Sequence, residues 1–352
     1  MKRSKMQLCL FILSGEHDTL PQAELCAILE SEGFSYSIKG HGKRILLMEV
    51  DSEAARIATQ RAGLVNHASV IAFESPSEET AILNSLQQIN FSNWIRPNSL
   101  FGVKVTRIKR EPSEFDVDDL QGKIGSVIWR AMKGDVEISL TAPDVLFFGV
   151  IYGDTFYFGP LLASRNRTSF SKRRSPFRPF FVPSAIHPKI ARVLVNLSRA
   201  RPGRLFIDPF SGTGGLLLEA AEIGCIPVGL DIDSSMVTGS QRNLTHFNIP
   251  FHGCLADARK PPLCNEKIEA IATDPPYGRS SSAKGAIISN LIEASLEALA
   301  QILKSGGYLC FALPLEYFNE NMVPSNSFII KETHTMRIHR SLRRHIVVLE
   351  RK

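Results

Sequence analysis

The spacing of hydrophobic and polar residues along this chain alternates between two periods. Apolar residues three or four positions apart predict a helix, and a short continuous apolar run predicts a buried strand. In the first part of the chain these patterns predict a strand at 6–13, a helix at 20–30, strands at 34–38 and 45–50, and a helix at 53–62. This order of elements is typical of a ferredoxin-like domain, which we place at residues 1–70.

The same two patterns predict a second α/β module at residues 71–164. Its predicted elements are a helix at 82–89, a strand at 100–108, a helix at 118–132, and strands at 145–152 and 155–158. Gly153 and Asp154 separate the last two strands, where a tight hairpin turn belongs.

From residue 180 to residue 352, apolar runs alternate with helical stretches. The runs that suit central parallel strands are 205–208, 228–231, 268–273 and 308–313, and the helical stretches are 214–224, 234–247 and 287–304. The last two runs, 328–337 and 345–350, suit an antiparallel pair. We therefore predict a Rossmann-like, doubly wound sheet that ends in a hairpin.

A basic segment at residues 165–179 connects these parts and contains no acidic residue. Its cations are Arg165, Arg167, Lys172, Arg173, Arg174 and Arg178. Two interpretations stay open. Such a run is often a solvated linker, whereas in an enzyme that acts on nucleic acid it can follow the phosphates. The candidate nucleic-acid contacts are Arg165, Arg167, Lys172, Arg173 and Arg174.

Composition narrows the function classes. The chain has 352 residues and a net charge of +6, which mildly favours a polyanionic partner. Its six cysteines lack the paired spacing of a disulfide scaffold or an internal zinc site, so we predict no metal and a reducing, cytoplasmic location. The N-terminal apolar run resembles a weak signal sequence but better fits a buried strand, and no other run is long enough to cross a bilayer.

The segment Asp208-Pro-Phe-Ser-Gly-Thr-Gly-Gly215 ends one predicted strand and begins a helix. Its glycines allow a tight turn with the helix N-terminus facing a ligand. An acidic residue suited to ribose hydroxyls, Asp231, ends the next predicted strand. Asp257 either accepts a hydrogen bond from an adenine amino group or is an ordinary polar loop residue. Together these residues support a nucleoside cofactor.

Two other nucleotide-binding motifs fit this turn less well. A dinucleotide-binding loop begins with glycine at the strand end, where this chain has Asp208-Pro-Phe. A phosphate-binding loop needs a Gly-Lys-Ser/Thr, and none follows. The Asp208 carboxylate also disfavours a pyrophosphate and suits a positively charged, methionine-type ligand. These residues therefore predict S-adenosylmethionine.

The second motif, Asp274-Pro-Pro-Tyr277, directly follows the predicted strand at 268–273. An exocyclic amino nitrogen of guanine or adenine is a poor nucleophile because its lone pair is delocalised into the ring. The Asp274 carboxylate and the Pro275 carbonyl can accept its N–H hydrogens. Pro275 and Pro276 stiffen the backbone, and Tyr277 can stack on the base. The motif predicts methyl transfer to an amino group, since the Pro-Cys nucleophile of cytosine-C5 enzymes is missing.

Further strings accompany the two motifs over nearly the whole chain. They are Leu13-Ser-Gly-Glu16, Arg178-Pro-Phe-Phe-Val-Pro-Ser184, Pro188-Lys-Ile-Ala-Arg192, Gly229-Leu-Asp-Ile-Asp233 and His339-Arg-Ser-Leu-Arg-Arg344. Together the strings resemble those of archaeal tRNA guanine-10 N2-methyltransferases of the THUMP-domain group. The resemblance implies an α/β fold with a C-terminal Rossmann-like class I methyltransferase domain and N-terminal ferredoxin-like and THUMP modules. It also implies that the THUMP domain, residues 71–164, grips the tRNA acceptor end.

The motifs and the resemblance together give a set of candidate site residues. Those for catalysis are Asp274, Pro275, Pro276 and Tyr277. Those for the cofactor are Phe181, Pro183, Asp208, Phe210, Gly212, Thr213, Gly214, Asp231, Ile232, Asp257 and Ala258. By the resemblance, the segment with Phe181 and Pro183 lies against the cofactor. It also implies that His339–Arg344 lies near the target nucleotide or the RNA backbone, with Arg340 and Arg343 as candidate RNA contacts. Partners implied are tRNA and, as in some members of the broader family, a small zinc-binding activator protein.

The leading hypothesis is an S-adenosylmethionine-dependent tRNA methyltransferase that makes N2-methylguanosine, with a second methylation left open. One alternative is methyl transfer to another amino group in RNA or DNA, and the other is a noncatalytic RNA-binding protein. The two N-terminal modules favour RNA over DNA. Two intact motifs argue against a noncatalytic role. They are the Asp208–Gly215 turn, called the cofactor turn below, and the Asp274–Tyr277 motif, called the amine clamp.

Overall fold

The computed structural model describes residues 5–108, 116–183, 185–276, 282–339 and 342–352. The chain folds into two compact units. The first unit takes in the described residues of Met1–Gly15, Phe34–Gln60 and Val65–Arg165, and the second takes in those of Glu16–Gly33, Arg61–Leu64 and Asn166–Lys352. The chain therefore passes between the units more than once, which the predicted boundaries at residues 70, 164 and 179 did not anticipate.

Helices and strands alternate irregularly in the first half of the chain. They are β1 (Met6–Leu13), α1 (Leu20–Ser31), β2 (Tyr36–His41), β3 (Ile45–Asp51), α2 (Ser52–Arg61), β4 (Val65–Val70), β5 (Phe73–Pro76), α3 (Glu79–Leu86), β6 (Leu100–Arg107), α4 (Val117–Ala131), β7 (Glu137–Ile138), β8 (Val145–Tyr152) and β9 (Thr155–Ser164).

One sheet forms the first unit. Its described strands run in the order β2-β3-β1-β4-β9-β8-β6-β7, with β5 also paired to β9. The predicted boundary at residue 70 falls inside this sheet, because His67 and Ala68 of β4 pair with Ser164 and Ala163 of β9. Apolar side chains of α3 and α4 bury a core against β6, β8 and β9. The predicted ferredoxin-like and THUMP modules thus share a continuous sheet.

The second half of the chain alternates strand and helix more regularly. Its elements are α5 (Arg167–Lys172), α6 (Pro188–Leu197), β10 (Leu205–Asp208), α7 (Gly215–Glu222), β11 (Ile226–Asp231), α8 (Ser234–His246), β12 (His252–Leu255), β13 (Ile268–Thr273), α9 (Ser282–Ile302), β14 (Leu303–Pro314), β15 (Phe328–His339) and β16 (Leu342–Arg351).

A doubly wound sheet lies at the centre of the second unit. Its described strands run in the order β12-β11-β10-β13-β14-β16-β15. The first five are parallel, and the hairpin of β15 and β16 is antiparallel. Phe206 of β10 packs with α6 and α7 on one face, whereas Ile207 packs with α9 on the other. This topology confirms the Rossmann-like fold that the alternation of apolar runs predicted.

The strand order reverses direction beside β10, and that reversal positions the site. From β10 the chain moves outward to β11 and β12, and then returns to β13 on the other side of β10. A crevice forms at such a switch point, outside the carboxyl ends of the strands. Asp208, Asp231 and Asp274 all lie at those ends, because β10, β11 and β13 end at or just before them.

Helix α1 belongs to the second unit although it was predicted as part of the N-terminal domain. Leu20 and Ala27 are buried in one core with α6 and α7. The buried Glu24 carboxylate accepts hydrogen bonds from the backbone N–H of Gly63 at 2.7 Å and of Leu64 at 2.8 Å. These contacts explain why residues 61–64 group with α1, and periodicity within each element cannot reveal them.

Residues 165–179 were predicted as a basic linker, and part of the segment is folded. It contains α5 and a single 3₁₀ turn at Ser175–Phe177. Phe170 is buried, and the guanidinium groups of Arg173 and Arg192 lie over its ring.

The described ranges contain free thiols but no candidate membrane helix or metal cluster. None of the helices there is long and apolar enough to cross a membrane. No group of three or more His, Cys, Asp or Glu residues in those ranges could hold a metal ion. All six cysteines lie within them and are free thiols.

Candidate active site

A cleft of about 760 Å³ lies at the carboxyl ends of β10, β11 and β13. Ten of the predicted site residues line it, namely Asp208, Phe210, Gly212, Thr213, Asp231, Ile232, Asp257, Ala258, Asp274 and Pro276. The cofactor turn and the amine clamp, far apart in sequence, therefore share one cavity.

Four predicted residues do not line the cleft, and one cannot be placed. Phe181 and Pro183 are exposed, while their neighbours Val182, Ala185 and Ile186 line the cavity instead. Gly214 caps helix α7, and the side chain of Pro275 is buried. Tyr277 lies outside the described residues.

The glycine-rich turn is fixed by backbone hydrogen bonds. Ser211 N–H donates to the carbonyl of Leu230 at 2.8 Å, and Gly212 N–H donates to Asp231 Oδ2 at 2.8 Å. Gly214 has a φ of +76°, and a Cβ there would lie 2.5 Å from Ser240 Oγ. Only glycine fits this position without strain, because both the backbone angle and the packing exclude a side chain.

Asp208 is the most deeply buried carboxylate in the cleft. It is 1% exposed, and its Oδ1 accepts hydrogen bonds from Thr273 Oγ1 at 2.7 Å and from Phe210 N–H at 3.2 Å. Burial raises the pKa of Asp208 to about 7, and the nearby carboxylates of Asp231 and Asp274 add to the shift. The hydrogen bond from Thr273 to Asp208 also links the end of β13 to the end of β10.

The cleft is acidic although the chain as a whole is basic. Five aspartates and one arginine line it. Asp231 Oδ1 accepts a hydrogen bond from Asp233 N–H at 3.0 Å. Asp257 is paired with Arg259, whose Nη2 lies 2.6 Å from Asp257 Oδ2, and this hydrogen bond lowers the pKa of Asp257. Such a lining suits a positively charged ligand with hydroxyl groups and opposes a pyrophosphate.

Asp274 presents its two carboxylate oxygens to different surroundings. Arg344 Nη1 donates a hydrogen bond to Oδ2 at 2.9 Å. Oδ1 is buried and has no hydrogen-bond partner among the described residues. Burial raises the pKa of Asp274 to about 6, against the opposing charge of Arg344. A buried, unpaired carboxylate oxygen at the edge of a cavity is an acceptor available to a ligand N–H.

Comparisons with known proteins agree with this geometry. A family model described as RMKL-like, methyltransferase domain, matches residues 176–346. A tRNA (guanine(10)-N2)-dimethyltransferase of Methanothermobacter thermautotrophicus is 35% identical over 97% of this chain and 99% of the relative. A protein of that name from Methanocaldococcus jannaschii is 32% identical, again over 97% of this chain and 99% of the relative. The chain belongs to the family of these tRNA (guanine(10)-N2)-dimethyltransferases. The resemblance indicated by the sequence strings is thus confirmed.

Solved structures support the fold of this family member over its full length. TrmN from Thermus thermophilus matches with a TM-score of 0.55 and 18% identity, covering 98% of this chain and 100% of that chain. SMU.472, a putative methyltransferase complexed with SAH, matches with a TM-score of 0.54 and 14% identity, covering 98% of each chain.

The predicted RNA contacts are in unlike environments. Lys172, Arg174 and Arg343 are exposed. Arg165 is partly buried and donates from Nη2 to Asn66 Oδ1 at 3.0 Å. Arg167 lies in α5, and Arg340 is outside the described residues.

Arg173 differs most from its predicted role. It is only 5% exposed, and it pairs with Glu219 at 2.7 Å and with Glu222 at 2.7 Å. Its charge is therefore used inside the unit, so we remove Arg173 from the candidate RNA contacts.

Sequence reasoning missed two side chains that organise the site. Asn243 of α8 accepts a hydrogen bond from Phe180 N–H at 2.9 Å, and its amide donates to the carbonyls of Phe180 and Thr213. Asn243 therefore connects Phe180, which precedes the cleft residue Val182, to Thr213 of the glycine turn. Arg344 was present only as the last letter of the His339–Arg344 string, and nothing in that string indicates its contact with Asp274.

Proposed function

We propose that this chain transfers methyl groups from S-adenosylmethionine to the N2 amino group of a guanosine in tRNA, in the cytoplasm. The relatives' names specify position 10 and two methyl groups, and we adopt both for this chain. The observation that carries the proposal is the Oδ1 of Asp274, which has no hydrogen-bond partner among the described residues and is buried at the edge of an acidic cleft built on a glycine turn.

The cleft residues fit S-adenosylmethionine. When bound, this cofactor supplies a methyl group carried on a positively charged sulfur. Asp231 would hold the ribose hydroxyls, Asp257 the adenine amino group, and Asp208 the charged methionine part. The Phe210–Thr213 turn has no side chain at Gly212, so its backbone can approach the ligand closely. A cavity lined by several carboxylates favours such a cation over a dinucleotide.

The Asp274 motif prepares the amine. Oδ1 of Asp274 and the carbonyl of Pro275 accept the two N–H hydrogens of the guanine amino group, which moves its lone pair out of conjugation with the ring. Pro275 and Pro276 hold these acceptors in place, and Tyr277 is proposed to stack on the base. As the nitrogen takes the methyl group, the methyl–sulfur bond would break with its electron pair left on sulfur. The nitrogen would release one proton to solvent, so no strong base is required.

The same geometry supports a second methylation. After one transfer the amino nitrogen still carries one N–H hydrogen. Oδ1 of Asp274 can accept that hydrogen and keep the lone pair available. We therefore propose that the product includes N2,N2-dimethylguanosine.

Two partners belong to the proposal. We assign the grip on the tRNA acceptor end to the predicted THUMP segment at 71–164, and backbone phosphate contacts to the exposed Lys172, Arg174 and Arg343. A small zinc-binding activator protein is the second proposed partner. Strand β12 supports it, because β12 is the edge strand of its sheet and exposes Cys254 and Leu255. Such an edge is a ready surface for a covering protein.

The decisive experiment is methylation of unmodified tRNA transcripts with isotope-labelled S-adenosylmethionine, followed by mass spectrometry of the nucleosides. We expect label in N2-methylguanosine and N2,N2-dimethylguanosine, and loss of both when guanosine 10 is replaced by adenosine. Label in another base, or label only when DNA is supplied in place of tRNA, would support the alternative amino-group target. A lack of label in any nucleic acid, with and without a candidate activator, would support the noncatalytic alternative.

Variants of Asp274 test the residue that carries the proposal. We expect Asp274→Ala and Asp274→Asn to lower kcat at least ~100-fold, because the amine loses its charged acceptor. Cofactor affinity measured by calorimetry should stay close to that of the wild type. Glu297→Ala, which removes an exposed carboxylate of α9, is the matched control. Near-normal turnover in both Asp274 variants would refute the clamp.

A further inference from the structure

Arg344 contacts Asp274 of the amine clamp, although the two residues are 70 positions apart in the sequence. It lies in β16, where it pairs with Pro314 of β14 and with Met336 of β15. Strand β14 in turn pairs with β13, which ends immediately before Asp274. The C-terminal hairpin thereby brings a cation beside the carboxylate. The side chains of Arg344 and Asp274 are 10% and 12% exposed, so the pair is largely shielded from solvent.

The contact with Arg344 gives the two carboxylate oxygens of Asp274 different surroundings. Arg344 Nη1 holds Oδ2 at 2.9 Å, and Oδ1 is left buried without a partner among the described residues. The terminal torsion of an aspartate has a broad, soft preference, so an unanchored carboxylate samples many orientations. A charge-assisted hydrogen bond to one oxygen removes that freedom.

We propose that Arg344 is a positioning residue for methyl transfer, which holds Oδ2 of Asp274 so that Oδ1 faces the target amine. The inference rests on the proposed function, because it assigns a role toward the same amine. Arg344 acts through Asp274 and is given no contact with the substrate.

The arginine also keeps the carboxylate charged. Burial raises the pKa of Asp274 to about 6, and the charge of Arg344 opposes this shift. Among the residues that the structure describes, the charged groups that face Asp274 are Arg344 from β16 and Asp208 from the end of β10. Since Asp208 is itself acidic, only Arg344 of these two favours the ionised form that accepts the amine N–H hydrogens.

The test is the pH dependence of kcat in three variants, measured on a tRNA transcript from about pH 5.5 to about pH 9. Arg344→Met removes the charge and the donors. We expect kcat at pH 7 to fall about 10–100-fold. The acid limb of the profile should move up by about one unit or more, with partial recovery of activity at high pH. Arg344→Lys keeps a cation, so we expect a nearly normal limb with an intermediate kcat.

Lys331→Met is the matched control on the same hairpin. Lys331 pairs with Glu350, also at 2.9 Å, and neither residue lines the cleft. We expect this variant to keep the wild-type profile. Thermal unfolding and cofactor binding are measured for every variant. If Arg344→Met does not fold, the test is Arg344→Lys, for which a normal acid limb with a lowered kcat supports the inference and a wild-type kcat overturns it.

The outcomes separate this inference from the proposed function. An unshifted acid limb in Arg344→Met, or a fall in kcat by one factor at every pH, overturns the positioning role. If the wild-type protein methylates no guanosine, or Asp274→Ala turns over normally, the proposed function itself fails. A shifted limb that Arg344→Lys restores supports the inference.

Discussion

The Asp208 carboxylate is negatively charged when ionised, which suits a positively charged cofactor, but its burial disfavours the ionised form. Its side chain is almost fully buried, and Thr273 and Phe210 both donate hydrogen bonds to one oxygen, Oδ1. The result is a pKa of about 7, raised mainly by burial. Near neutral pH the residue is therefore divided between its two protonation states, and a bound cation favours the ionised one.

Asp208→Asn should change how stability depends on pH. The folded-state pKa of Asp208 is raised from 3.8 to about 7, so the native state binds this proton more tightly than the unfolded state. The stability that this proton gives is full below pH 4 and is lost as the pH rises through about 7. Asparagine cannot ionise, so the free energy of unfolding of the variant relative to wild type should increase by about 2–4 kcal/mol between pH 4 and pH 8.

Urea unfolding at several pH values measures this difference. A difference that stays constant over the whole range would show that Asp208 does not titrate there. Calorimetry on the same variant should show weaker cofactor binding, because the neutral amide no longer attracts a cation.

Helix α8 is the element that connects the two sides of the cofactor cleft. Asn243 bonds to Phe180 and to Thr213, as described above, and Gly239 lies one helical turn earlier on the same face. A Cβ at Gly239 would lie 2.0 Å from the ring of Phe180. The helix itself was predictable from its periodicity, at 234–247 against the observed Ser234–His246. Its role was not, because the contact partners lie in separate elements.

Gly239→Ala should therefore weaken cofactor binding. The added methyl group must displace Phe180 and the segment that leads to Val182, and such overpacking costs about 1–3 kcal/mol of stability. Thermal unfolding and calorimetry measure both effects. Gly122→Ala is the control, because Gly122 lies in helix α4 with no atom within 4 Å of the added carbon. We expect that variant to gain roughly 0.5–1 kcal/mol. Equal behaviour of the two variants would contradict the packing argument.

At the scale of the whole molecule, the two compact units are not two consecutive stretches of sequence. Helix α1 and residues 61–64 belong to the second unit, where Leu20, Ala27 and Leu64 join its core. Removing residues 1–165 would open that core as well as remove the predicted RNA-binding modules. Point variants of surface charges are therefore the cleaner test of tRNA binding.

Lys172→Gln combined with Arg174→Gln should weaken tRNA binding and its dependence on salt. Each phosphate contact that is lost should lower the slope of log affinity against log salt by about 1. Filter binding at several salt concentrations measures the slope. Lys267→Gln is the control, because Lys267 is exposed at the amino end of β13, at the opposite end of the strand from the cleft. An unchanged slope in the double variant would assign the basic segment to a purely structural role.

The sequence by itself determined what depends on neighbouring residues. Strand β10 was predicted with its observed bounds, and the glycine turn and the clamp were recognised, because each is a local pattern of residue types. Short elements with mixed polarity were missed, such as β12 (His252–Leu255), since four residues with one histidine and one glycine carry no clear period.

Only the tertiary structure decided which distant residues meet. The pairing of β4 with β9, the burial of Arg173 against Glu219 and the contact of Arg344 with Asp274 each join positions dozens of residues apart. A charged side chain looks the same in a sequence whether it contacts solvent, a carboxylate or a phosphate. Its partner is set by packing of the whole sheet, which is why the Asp274 motif could be recognised in the sequence and its contact with Arg344 could not.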